Sequence, residues 1–130
     1  MTECDLGEAQ EVLERVERER GMARGWTRML AQRDPDMLER VHELVMHVLH
    51  ERQTLPLKFK YVLVVCLNAS QFHEFGVRTQ TRAALQNGAS EEEILEALEI
   101  VAISNLYGMS KALPMVMEEI QAFRDRTGAQ

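Results

Sequence analysis

Residues 86–93, QNGASEEE, constrain the fold of this chain more than any other stretch. Asn87–Gly88 ends a helix, because glycine enters the left-handed conformation of a helix C-terminus without a Cβ penalty. Two residues later a helix starts. Ser90 can accept from the Glu93 N–H while the Glu93 carboxylate reaches back to the Ser90 N–H, which is a capping box. A stop and a start this close leave room only for a turn. The sequence predicts one helix over residues 77–86. It predicts a second that carries Ile94, Leu95, Leu98, Val101 and Ala102 toward Tyr107–Gly108.

Helix signals recur along the chain, and strand signals are almost absent. Residues 6–20 place Val12, Leu13 and Val16 on one stripe among Glu and Arg, with Gly21 as the stop. A short helix is expected over 26–31. Asp34–Pro35 supplies an N-cap and a first-turn proline. After it Met37, Leu38, Val41, Leu44, Val45, Val48 and Leu49 recur at helical spacing. Leu55–Pro56 opens a fourth helix whose middle, YVLVVCL, is apolar all round. Alone this run would also suit a buried strand. Its helical neighbours favour a helix at the centre of a bundle. A last helix over 110–126 aligns Leu113, Val116, Met117, Ile120 and Phe123, with Pro114 in its first turn, where a missing N–H costs little. The expectation is an all-α, single-domain bundle of six to seven helices.

At 130 residues the chain suffices for one domain that needs no disulfide or structural metal. Its net charge of −6 argues against a nucleic-acid partner and against adhesion to anionic membrane. The N-terminus MTECDLGEAQ lacks the pattern of a signal peptide. The longest apolar run, 62–67, is too short to span a bilayer. The two cysteines, Cys4 and Cys66, stand far apart, one in a polar stretch and one in an apolar one. A reduced, cytoplasmic setting is expected.

The stretch RTQTRAALQNGASEEEILEALEIVAISNLYGMSKAL resembles the carboxymuconolactone decarboxylase family, which also contains the alkylhydroperoxidase D proteins. The resemblance rests on the Arg-Ala-Ala-Leu helix, the Asn-Gly stop, the Ser-Glu-Glu-Glu-Ile start and the Tyr-Gly turn. LPLKFKYVLVVCLNAS looks like the buried helix ahead of the family's active-site segment. The likeness covers about residues 36–125, leaving 1–33 as an N-terminal helical arm. It implies an all-α fold that assembles into homotrimers or homohexamers. It also implies an enzyme of proton-transfer, lyase or decarboxylase type acting on a small organic acid or cyclic metabolite. The alternatives are a non-catalytic binding or assembly protein of the same fold and, behind it, an alkylhydroperoxidase-type antioxidant with residual thiol activity through Cys66.

Residue by residue the resemblance transfers poorly. Aligned through Thr81-Arg82-Ala83-Ala84-Leu85, the positions of the alkylhydroperoxidase Cys-x-x-Cys fall on His73 and Gly76. The family histidine falls on Gln80, and the glutamate on Tyr61. Peroxide reduction by a dithiol needs an attacking thiolate and a resolving thiol, so that activity is not expected. His73 is the one residue of the aligned site suited to acid–base work at neutral pH. Tyr61 and Gln80 can donate hydrogen bonds to a ligand. Arg78 and Arg82, one turn apart, can bind a substrate carboxylate or form a salt bridge between subunits. His42, Glu43, His47, His50 and Glu51 cluster on the third helix, but no third metal ligand is fixed by spacing, and a solvated helix face is the expectation. No metal and no cofactor are expected.

Overall fold

The structure is a computed structural model that describes residues 3–20 and 25–128, with side chains from Leu6 onward except Arg20. The predicted stop at Gly21 and the Cys4 side chain lie outside the described residues. Among the described residues every regular element is helical. Contacts divide the chain into two units, 1–52 and 53–130.

The first unit comprises α1 (Glu3–Arg20), α2 (Gly25–Arg33) and α3 (Pro35–Met46), which runs on through a π-helical turn, His47–Glu51. Asp34 caps α3 by accepting from the Met37 N–H at 3.1 Å, with Pro35 following it. Ala9, Val12, Val16, Ala31 and Leu38 form the core. α3 packs on α1 and α2. His42 is also buried in this unit. Its Nε2 lies 2.5 Å from Glu19 Oε2, and its Nδ1 has no partner among the described residues.

The second unit comprises α4 (Leu57–Ser70), α5 (Glu74–Gln86) and α6 (Glu91–Thr127). Its core draws Val62 and Val65 from α4, Val77 and Ala84 from α5, and Ile94, Leu98, Val116 and Ile120 from α6. The expected turn is present between α5 and α6. Gly88 takes φ +92°, the Ala89 N–H reaches the Ala84 carbonyl at 2.9 Å, and both arms of the Ser90–Glu93 box form.

Three details depart from the sequence reading. α4 is helical but not enclosed. Only one side meets α5 and α6, so Phe59, Leu63 and Leu67 are exposed. The break inside the last long helix falls at Asn105, earlier than Tyr107–Gly108. Asn105 has φ −152° and ψ 78°, and its Oδ1 accepts from the Gly108 N–H at 2.9 Å. That is N-cap geometry, so α6 consists of two helices meeting at a capped kink. Pro114 therefore lies two turns inside the second half rather than in a first turn. It is exposed, so water can satisfy the carbonyl it leaves without a donor.

Candidate functional site

The turn between α4 and α5 is built as the turn between α5 and α6 is, with one substitution. At its centre the Phe72 N–H reaches the Ala69 carbonyl at 3.2 Å and the His73 N–H reaches Asn68 O at 2.9 Å. These are the two bonds of a Schellman motif. The left-handed position, glycine at Gly88, is here Phe72 with φ +56°. A non-glycine residue in this region costs about 1–2 kcal/mol. Strain of this kind concentrates near functional sites.

His73 follows as the N-cap of α5. Its Nδ1 lies 2.9 Å from Asn68 Oδ1. The Asn68 amide is itself fixed, because Nδ2 donates to the Val64 carbonyl at 2.9 Å. Only the acceptor end of Asn68 is left for the imidazole. In the neutral ring Nδ1 therefore carries the hydrogen and Nε2 carries the lone pair. His73 is exposed. Gly76 completes the group, because a Cβ there would collide with Asn68 Oδ1 and lie 2.6 Å from His73 Nδ1. The Asn68–His73 pair thus occupies the space that a side chain at position 76 would need.

Helical spacing puts Tyr61 on the α4 face of Asn68, and Gln80 on the α5 face of Gly76. Both are half-buried, and Tyr61 packs against the core. Asn68, His73 and Gly76 meet at the seam between α4 and α5.

Arg78 and Arg82 are engaged within the chain. Arg78 Nη1 lies 2.8 Å from Glu118 Oε2, and its Nη2 lies 3.2 Å from Glu74 Oε1. Arg82 Nε lies 2.8 Å from Glu119 Oε2, off the N–H axis, so the contact is an ion pair without a directed hydrogen bond. Glu119 is nearly buried. A substrate carboxylate would have to displace these partners. These ion pairs lie within one chain, rather than between subunits.

Cys66 is free and half-buried, and burial pushes its thiol above the ordinary range. In the π-helical turn after α3, His47 Nδ1 pairs with Glu51 at 2.8 Å, and on α3 His42 is buried against Glu19. Among the described residues no group of three ligands could hold a metal ion.

A cavity of about 350 Å³ lies on the other side of α5, between it and the kink of α6. Phe72 and Tyr107 flank it with ring centroids 5.6 Å apart. None of Tyr61, His73, Arg78, Gln80 and Arg82 lines it. The sequence reading missed Asn68, Phe72 and Asn105. Of these only Asn105 carried a local signal, since Asn is a strong N-cap residue.

The sequence profile of the carboxymuconolactone decarboxylase family matches residues 35–113, more than half of the chain. The chain belongs to that family. A solved structure of a provisionally named carboxymuconolactone decarboxylase from Burkholderia xenovorans LB400 shares the fold at a TM-score of 0.78. It is 23% identical to this chain, and the likeness covers 94% of this chain and 98% of that one. No curated protein matches the sequence.

Proposed function

We propose that this family member transfers a proton to or from a small organic acid or cyclic metabolite, in a reaction of lyase or decarboxylase type, with His73 as the acid–base group. The supporting observation is the Asn68–His73 pair. A fixed amide oxygen holds Nδ1–H and leaves the Nε2 lone pair exposed at the head of α5. From there Nε2 can take a proton from carbon next to a carbonyl. The imidazolium can return it to the carbanion left when carbon dioxide departs. Tyr61 and Gln80, on the helix faces of Asn68 and Gly76, are the donors for the substrate's oxygens. Arg78 and Arg82 brace α5 against α6 through Glu118 and Glu119.

The test is solvent-deuterium uptake by NMR, together with carbon dioxide release, over a panel of lactone acids and β-keto acids. His73→Ala should lower the rate about a hundredfold or more, in the range of general acid–base contributions. Asn68→Ala should lower it by less. An unchanged rate in His73→Ala would overturn the assignment.

A second reading, a binding or assembly protein, draws on a different observation. Leu63, Leu67, Ile100, Ile103 and Leu106 are all more than half exposed. Apolar surface on this scale suits burial between copies of the chain, as a homotrimer or homohexamer. Sedimentation velocity on the wild type and on Leu67→Glu tests it. A wild type that sediments as a monomer would remove the assembly reading.

A further inference from the structure

The cavity between α5 and the α6 kink has no role in the proton-transfer reading and shares no residue with it. Its floor is made of small or buried groups. A Cβ on Gly108 would lie 2.7 Å from the Ala69 carbonyl, so the α6 backbone comes directly onto the end of α4 there. Ala112 and Val77 are buried beside it. The walls are large and soft: Phe72, Tyr107 and Met115. At about 350 Å³ the space is near the lower end of the range for small-molecule sites, roughly 300–1,000 Å³.

Two charged residues line it. Glu74 pairs with Arg78 at 3.2 Å. Lys111 has no carboxylate within ion-pair distance among the described residues. Its Nζ lies 5.2 Å from the centroid of the Tyr107 ring. A cation over a ring face is held in place while its other hydrogens remain available. The cavity therefore combines an apolar, aromatic body with one uncommitted positive charge.

We propose that this cavity binds a flat, apolar monocarboxylate, its hydrocarbon body between Phe72, Tyr107 and Met115 and its carboxylate on Lys111. The rings offer faces and edges to a planar ligand, and the Met115 thioether favours contact with an aromatic one. A carboxylate on Lys111 forms a charge-assisted hydrogen bond without breaking an existing ion pair. A cationic ligand would meet Lys111 unfavourably and would have to take Glu74 from Arg78.

The probe is 2-naphthoate, titrated by calorimetry and fluorescence against the intact chain. Saturable one-site binding is expected. Lys111→Gln should weaken it about tenfold or more, and Lys111→Arg should keep it within a few fold. Tyr107→Ala, at an exposed position that tolerates truncation, should also weaken it. 2-Naphthylmethanol, which keeps the body and lacks the charge, should bind about tenfold more weakly. Equal affinity for the alcohol and the acid, or binding indifferent to Lys111→Gln, would overturn the proposal. So would preference for 2-naphthylmethylamine. Absence of saturable binding, with Tyr107→Ala shifting the protein to a smaller assembly, would also overturn it, in favour of a second copy covering the cleft. Binding is read without turnover, so its failure leaves the His73 reading where it stands, and a failed proton-exchange assay leaves this one.

Discussion

Asn68 presents its amide oxygen to His73 Nδ1 at 2.9 Å because its amide nitrogen is already held by the Val64 carbonyl. The constraint runs from the α4 backbone, through one side chain, to the imidazole. It predicts a tautomer. Long-range ¹H–¹⁵N spectra of the neutral ring should show Nδ1 as the protonated nitrogen and Nε2 as the bare one. Asn68→Ala should return His73 to the mixture of a free imidazole. It should also cost about 1 kcal/mol, the net worth of a typical hydrogen bond. A wild-type spectrum with Nε2 protonated would refute the geometry.

Gly76 and Gly108 should respond differently to alanine, although each lacks room for a Cβ. At Gly76 the obstacles are the ends of two side chains, Asn68 and His73. Asn68 and His73 would both have to rotate aside and give up their mutual hydrogen bond, so Gly76→Ala should cost about 1 kcal/mol and abolish the fixed tautomer. At Gly108 an obstacle is the Ala69 carbonyl, which cannot move without its helix. Gly108→Ala should cost more, about 1–3 kcal/mol, as overpacking does. Urea unfolding of the two variants measures the contrast, and a costlier Gly76→Ala would contradict it.

The two Schellman turns of the second unit allow a matched pair of substitutions. Gly88 has φ +92° and open space around its Cβ position, so Gly88→Ala carries only the backbone penalty, about 1–2 kcal/mol. Phe72 already bears that penalty at φ +56°. Phe72→Gly should relieve it while losing the ring contact with Tyr107. The expected outcome is a melting temperature that falls for Gly88→Ala and changes little for Phe72→Gly. Loss of 2-naphthoate binding should accompany the second variant alone.

These turns also show how far the sequence could be read. Asn-Gly and Ser-x-x-Glu are local devices whose chemistry is complete within a few residues, so the α5–α6 turn was legible. The α4–α5 turn uses the same two backbone bonds, but its left-handed residue is a phenylalanine. No local preference marks Phe72 for that role, and the tertiary setting imposes it. Asn68 was hidden for a related reason, because its meaning lies in a partner beyond a turn. Leu63 and Leu67 show the converse error. An all-round apolar helix implies burial, but a three-helix unit covers only one side of α4. The arginines were ambiguous from spacing alone. Glu118 and Glu119, far along the chain, decide where their charges go.

Asn105 makes the α6 kink a capped junction. Its Oδ1 accepts from the Gly108 N–H, and its Nδ2 donates to the Ser70 carbonyl at the end of α4, both at 2.9 Å. One side chain thus restarts a helix and ties it to α4. Asn105→Ala removes both bonds and should cost about 2 kcal/mol, the upper part of the range for lost caps. Asn105→Asp retains the cap and loses the donor, so it should fall between. Amide exchange should quicken first at Leu106–Gly108, where the cap acts. Uniform exchange across α6 in Asn105→Ala would show that the kink does not depend on this cap.

Glu93 ties the capping box to pH. Its carboxylate accepts from the Ser90 N–H at 2.9 Å and pairs with Lys58 at 3.1 Å. The Ser90 backbone bond is the larger cause holding the group below the ordinary carboxylate range, and the Lys58 bond adds to it. Folding therefore favours the ionised form. The stabilisation is complete at pH values above the unfolded carboxylate's titration. It is lost as pH falls through that range and then through the lowered folded value. The second unit should thus become easier to unfold by urea below about pH 4.5, with little change between pH 6 and 8. Glu93→Gln keeps an acceptor for the Ser90 N–H and discards the charge. It should lower stability at neutral pH and flatten the acid limb attributable to this group. An acid limb of unchanged steepness in Glu93→Gln would assign the pH dependence to other carboxylates of the second unit.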